Sequence, residues 1–329
     1  MNLSQLPYLL CLFPIFTVAS TEATTTTSTP SYLQYHKEIN AAENLLSQKE
    51  FKAALDGYES IFNSYDFVFL KDYKVAAQLA LHLDEKPKAF DYIKKGIAAG
   101  WKLKALKKDK FLAPLKKEAE WKAIEQAYTS LRAKYLARID EGMRERVKQM
   151  YKKDQWKAFG ALFRMSEKAR EKYAIRKFAP HSESQIAHII EILKNQAYPG
   201  EKLIGNDYWM STILSHHNSI AQAYNQNDTL YPSIKTALLQ AIEKGEMSPY
   251  EYAMIDDWYK MVSSGRRGVG YGFLNPPKQS TLSETNALRQ KIGLRTIALR
   301  NTLVEVENST GMNFFLPDWV QGKIEVEQQ

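Results

Sequence analysis

Between residues 31 and 135 the apolar positions recur every three or four residues, which is the spacing of amphipathic helices. In AAENLLSQKEFKAALDGYESIF, the set Ala42, Leu45, Leu46, Phe51, Ala54, Leu55, Tyr58 and Phe62 describes two helices broken near Ser47-Gln48-Lys49. A second pair follows: DYKVAAQLALHL, a turn at Asp84-Glu85-Lys86-Pro87, then KAFDYIKKGIAAGW. Pro87 suits a helix start, where its missing N–H costs nothing, and Gly100 suits the end. Ala76, Ala77 and Ala80 lie opposite Ala89, Phe90, Ile93 and Ile97, so these two helices are expected to approach closely. A long helical stretch over 123–150, with Tyr135, Ile139, Met143, Val147 and Met150 along one side, is predicted to connect this region to the rest.

Small residues on one helix and K-A-F-x-Y-I-x-K-G-I on its partner resemble tetratricopeptide-like repeats over residues 35–127. The Trp and Gly-Tyr signature of the first helix is missing, and about two degenerate repeats are visible. The resemblance implies stacked helical hairpins with a face suited to a protein or peptide partner. The hairpins also need each other physically, because neither covers its apolar stripe alone.

The start of the chain follows a different pattern. LPYLLCLFPIFTV, residues 6–18, is apolar and uncharged, and Ala19-Ser20 supply small residues, so a secretory signal peptide is expected over 1–20. The run is short for a membrane span and holds Pro14, so no transmembrane span is expected after cleavage. Residues 21–31, containing TEATTTTSTP, read as a low-complexity tether. Cys11 is the only cysteine; with the leader removed, disulfides, thiolate metal sites and Cys nucleophiles are excluded. The expected location is exported, periplasmic or secreted, in a bacterial envelope.

Net charge is +8, concentrated at Lys102, Lys104, Lys107, Lys108, Lys110, Lys116 and Lys117 and again between 132 and 177. Two readings stand: solvated helix faces, or a footprint for an anionic surface polymer. No nucleic-acid recognition motif accompanies the lysines, and export disfavours that partner.

The second half carries an ordered series of segments: RVKQMYKKDQ, IIEILKNQAYPGEKLIG, ILSHHNS, ALLQAIEKGEMSPYEYAMIDDW, GRRGVGYG and NALRQKIGL. In that order they resemble an uncharacterised bacterial domain family, often found in Bacteroidetes, with M-x-x-x-D-Q, Y/W-P-G, I-G, Q-H-A-D, E-D-R, Q-x-Y-G and R-x-x-x-G-L segments. The resemblance spans about half the chain and assigns no chemistry. By position it implies that the family His falls on His216, its helix Asp on Asp257, its Tyr-Gly on Tyr271-Gly272, and its closing Arg and Gly-Leu on Arg289 and Gly293-Leu294. Four polar positions depart: Ser215 stands for Gln, Asn218 for Asp, Trp258 for Arg and Val269 for Gln. If those were working groups, the activity is altered here.

The residues themselves narrow the chemistry. Adjacent helical positions point about 100° apart, so His216 and His217 cannot aim at one point; one should face inward and the other water. There is no H-E-x-x-H, and no metal or cofactor is called for. Ser248, Pro249 and Glu251 form a capping-box start, which leaves Asp256 and Asp257 in the second half of their helix, where carboxylates need a partner from elsewhere. Arg266 and Arg267, in a loop with four glycines, are the expected partners, through ion pairs or an anion-binding nest. His216, Asp257 and Tyr271 are therefore candidate catalytic groups, with Arg266, Arg267, Asn218 and Asp256 as candidate ligand contacts.

The fold expected is mostly α: tetratricopeptide-like hairpins at 32–136, a helical domain with a small β hairpin near 265–274 at 137–308, and a C-terminal tail at 309–329. The function expected is binding of a protein or peptide partner. The alternative is a hydrolase or acid/base enzyme acting on an anionic substrate through a His-Asp-Arg cluster.

Overall fold

The computed structural model describes residues 31–316 and 320–328. The expected leader, most of the tether and Cys11 lie outside these residues. The fold is mostly α. Among the described residues the only β pairing is one isolated parallel bridge, Lys278 with Glu327, and no helix is long and apolar enough to cross a membrane.

Helices α1 (Tyr32–Ser47), α2 (Phe51–Ser64), α3 (Leu70–His82) and α4 (Lys86–Ala98) form two hairpins. Each turn is closed by a residue in the left-handed region, Lys49 (φ 63°) in the first and Asp84 (φ 57°) in the second. Ala76, Ala77 and Ala80 are fully buried against Ala89 and Ile93, and a Cβ at Gly57 would touch the Ala42 Cβ at 3.4 Å. Small side chains thus set the helix separation, as the sequence pattern predicts. The extended link between the hairpins is pinned from α1: the Tyr32 hydroxyl accepts from Phe67 N (3.0 Å), and Tyr35 donates to Asp72 at 2.6 Å. After the short α5 (Leu103–Leu106), α6 (Ala119–Arg138) closes over α4 through Trp121 and Ile124.

The predicted connecting helix is two helices. Ile139 is extended, and the Asp140 side chain caps α7 (Glu141–Phe159) by accepting from Met143 N at 2.8 Å. A polar residue able to satisfy an orphan N–H outweighs a continuous apolar stripe.

The second half is built around α11 (Trp209–Asn218), with α7 and α9 (Ala179–Asn195) on one side and α14 (Pro249–Ser263) on the other. Between them in sequence come α8 (Glu167–Tyr173), α10 (Glu201–Ile204), α12 (Gln222–Asn225) and α13 (Leu230–Glu243), then α15 (Leu282–Lys291) and α16 (Ile297–Thr310). Its core runs through Val147, Ile189, Ile213, Leu238, Ala253 and Ile255. Segment 265–274 is an irregular loop and not the β hairpin expected, because its backbone donors go to a side chain, Asp257, and leave no ladder to form.

Helix α16 returns to the first half. Leu303, Val306, Met312 and Phe314 belong to the core of the hairpin stack. The Gln78 side-chain amide pairs with the backbone of Asn313, donating to its carbonyl (2.8 Å) and accepting from its N–H (2.9 Å). Residues 309–329, expected as a tail, are docked where described: Ile324 is buried, and the Arg300 guanidinium donates to the carbonyls of Val320 and Gly322.

Candidate functional site

The two histidines of α11 separate as the helical offset requires. His217 is buried: its Nδ1 lies 2.9 Å from Ser182 Oγ and its Nε2 lies 3.3 Å from Asp228 Oδ2. Burial works against the charged form of Asp228, but His217 and the N–H groups of Leu230 and Tyr231 outweigh it and hold the carboxyl below its ordinary range. A Ser-His-Asp arrangement results, yet Ser182 and His217 are fully sealed, so no substrate carbonyl can reach the hydroxyl. The trio braces α9, α11 and the start of α13.

His216 keeps 31% of its side chain in solvent, and its Nδ1 lies 2.6 Å from Oδ2 of the fully buried Asp154 on α7. An imidazole oriented by a buried carboxylate is the arrangement of a general base. Asp154 belongs to the M-x-x-x-D-Q segment and His216 to the H-H segment, so two stretches 62 residues apart meet here.

Asp257 lies elsewhere, beneath the 265–274 loop. Its carboxylate accepts from the N–H groups of Tyr271 (2.7 Å), Phe273 (3.0 Å) and Leu274 (3.1 Å). A Cβ at Gly270 would sit 1.8 Å from Asp257 Oδ1, so only glycine lets the backbone pass so close. Burial raises the Asp257 pKa even against three donors, and Asp256 adds to the rise. Asp256 accepts from Tyr231 (2.9 Å) and, at long range, from Tyr271 (3.4 Å), and pairs with Lys235 (2.7 Å). Arg289, fully buried, donates to the Tyr271 carbonyl (2.7 Å) and the Arg295 carbonyl (2.6 Å), locking the loop from behind. Asn218 donates to the Ile255 carbonyl and braces α11 against α14.

The structure therefore brings Asp256, Asp257 and Tyr271 together but leaves His216 on Asp154. Arg266 and Arg267 are exposed, and the side-chain contact recorded for Arg267 is to a backbone carbonyl, Ser264 O. The aspartates do need compensation from outside their helix. It comes from backbone N–H groups, two tyrosines and Lys235, since an amide donor satisfies a buried carboxylate without burying a second charge.

A cleft of about 1020 Å³ lies between the hairpin stack and the second half. Its walls come from α1, the start of α3, α11, the start of α14 and α16. At its base Lys71 pairs with Asp72 (3.1 Å) and Glu43 (3.2 Å), and Arg295 pairs with Glu43 (2.6 Å). Burial alone would lower the Lys71 pKa; the two carboxylates outweigh it and raise it. Burial, with Lys71 nearby, pushes His36 down to about 3, so this imidazole is neutral.

Two acids of the second half complete the wall. Glu201 accepts from Leu70 N at 2.7 Å, capping the start of α3 from the other half of the molecule where Phe69 supplies no side-chain cap, and burial pushes its pKa up to about 7. Glu251 accepts from Tyr198 (3.2 Å) and from Ser248 N (3.3 Å); burial, augmented by Glu201, pushes it also to about 7. Lys74 rests against the rings of Phe315 (4.7 Å) and Trp101 (5.6 Å).

Sequence reasoning finds Glu251 only as a capping residue and misses Asp154, Ser182, Asp228, Glu201 and Arg295 as site groups. Asp154 carried a signal, the D-Q of its segment. The others carry none, since their partners lie 11 to 252 residues away. Compared with protein-family models, with curated proteins and with solved structures, the chain gives no match.

Proposed function

We propose that this is an exported binding protein that holds a peptide segment of a partner in the cleft between its two halves. The observation that carries the reading is the cleft's size and composition together. About 1020 Å³ is at the upper end for a single small ligand and suits several residues of chain. Apolar Ile39, Phe69, Val304 and Leu316 line the walls together with charges of both signs, Lys71, Lys74, Asp72, Glu201 and Glu251. Such a lining fits amide groups and mixed side chains and repels a uniformly anionic polymer, which would meet the carboxylates.

The test is selection of binding peptides from a displayed random library on the purified chain. Asn308 is exposed on the cleft wall, so Asn308→Trp fills the space without disturbing the core. The selected peptides are expected to weaken at least tenfold on this variant at unchanged melting temperature. Peptides that bind the variant as well as the parent, or none at millimolar concentration, reject the reading.

A second reading, acid/base chemistry on an anionic substrate, draws on the Asp154–His216 pair and its solvent-open imidazole. It predicts that His216→Gln removes turnover while peptide binding in the cleft persists.

A further inference from the structure

Eight large apolar side chains are exposed among the described residues, and six of them, Trp156, Phe159, Leu162, Phe163, Met165 and Ile175, fall within one twenty-residue segment. The end of α7, the link 160–166, α8 and the start of the π-helical segment Ala174–Phe178 that continues it form this projection. Trp156 is 77% exposed, Leu162 73% and Met165 95%, so these side chains stand away from the body and do not line a groove. Phe159 and Phe163 lie edge to face at 5.0 Å, side by side.

The base of the projection is braced. The Tyr173 hydroxyl donates to the Lys157 carbonyl (2.9 Å), and its ring packs so tightly on Gly160 that a Cβ there would clash with the phenol at 2.0 Å. Arg164 lies over the same ring at 5.2 Å. The apolar tip is thus held in a defined shape.

Charge identifies the surface it meets. Nine Lys and Arg occupy residues 152–177, all exposed, against Asp154, Glu167 and Glu171. Asp154 is turned inward onto His216 and offers nothing to the outside. A projecting tip of Trp, Phe, Leu and Met with a collar of cations is the pattern of an interfacial anchor, in which apolar side chains enter the acyl boundary and Lys and Arg meet headgroup phosphates.

We infer that residues 156–175 dock this protein on an anionic phospholipid surface. This inference is independent of the occupant of the cleft.

The test uses the full chain carrying Cys11→Ser and Leu162→Cys, labelled at position 162 with an environment-sensitive fluorophore, so that the readout reports this tip and not the apolar leader. With vesicles of phosphatidylcholine and phosphatidylglycerol (roughly 3:1) the emission is expected to shift blue and intensify. The response should fall at least tenfold in affinity at high salt and on Lys152→Gln/Lys153→Gln/Lys157→Gln, since a membrane surface attracts such side chains electrostatically. Phe163→Asp, placed outside the core, should abolish the shift at unchanged melting temperature. Three outcomes overturn the inference: no shift with these vesicles, an equal shift on pure phosphatidylcholine, or a shift that depends on protein concentration without lipid, which would assign the tip to a second copy of the chain.

Discussion

The seam between the halves and the projection at 152–177 treat charge in opposite ways. Along the seam, Glu43, Asp72 and Arg295 are buried and each is paired or hydrogen-bonded, so their desolvation is offset by contacts across the fold. On the projection nine cations remain in water and the apolar side chains lie exposed beside them. The seam spends its polar groups on holding two halves in one geometry. The projection spends almost none on itself, which is the condition of a surface that meets something else.

The sharpest way to break this comparison is at Arg295. Arg295→Met takes one of two cations from the buried Glu43 carboxylate and leaves it with Lys71, so it is expected to cost up to about 3–5 kcal/mol in urea unfolding. A loss under 1 kcal/mol would mean that the seam is as loosely held as the projection.

Next in size, Asp257→Ala leaves two buried and one partly buried backbone N–H groups without this acceptor. About 2–4 kcal/mol should be lost, with hydrogen exchange accelerating at Tyr271, Phe273 and Leu274 before it does elsewhere.

Glu251 gives a pH signature. Its carboxyl titrates near 7 when folded and near 4.5 when unfolded. Below about 4.5 both states hold the proton and the parent keeps its full stability. As pH rises toward 7 only the unfolded state releases the proton, so stability falls, and above 7 the loss is complete. Relative to Glu251→Gln, the parent should lose on the order of 3 kcal/mol across that window, read from melting curves at fixed salt. A difference that does not vary with pH would place the carboxyl in water.

The smallest effect belongs to the loop arginines. Arg267→Ala should move the melting temperature by less than about 2 °C, because the side chain is exposed and makes no ion pair to an acid among the described residues. A larger drop would restore the ion pairs to Asp256 or Asp257 that the sequence suggests.

These residues also mark how far the sequence is legible. The capping box at Ser248 and Glu251, the start of α4 beside Pro87 and the close crossing at Ala76, Ala77 and Ala80 are local, and each follows from spacing alone. The 100° offset likewise separates His216 from His217. The partners do not follow. Asp257 needs compensation on any reading of its helix, but a guanidinium nearby in sequence and three amides on a curving backbone satisfy it equally well on paper; only the path of the loop decides. The split at Asp140 shows the same limit, since one capping side chain overrode a stripe of five apolar residues.

The amide clamp between Gln78 and Asn313 fixes when the molecule can finish folding. Its partners are 235 residues apart, and Leu303, Val306 and Phe314 fill the same stack from the far end. Such distant contacts are slow to close. A nascent chain that has exposed only its first two hairpins therefore lacks part of their interior, and the stack reaches its final packing after the last helix has been synthesised.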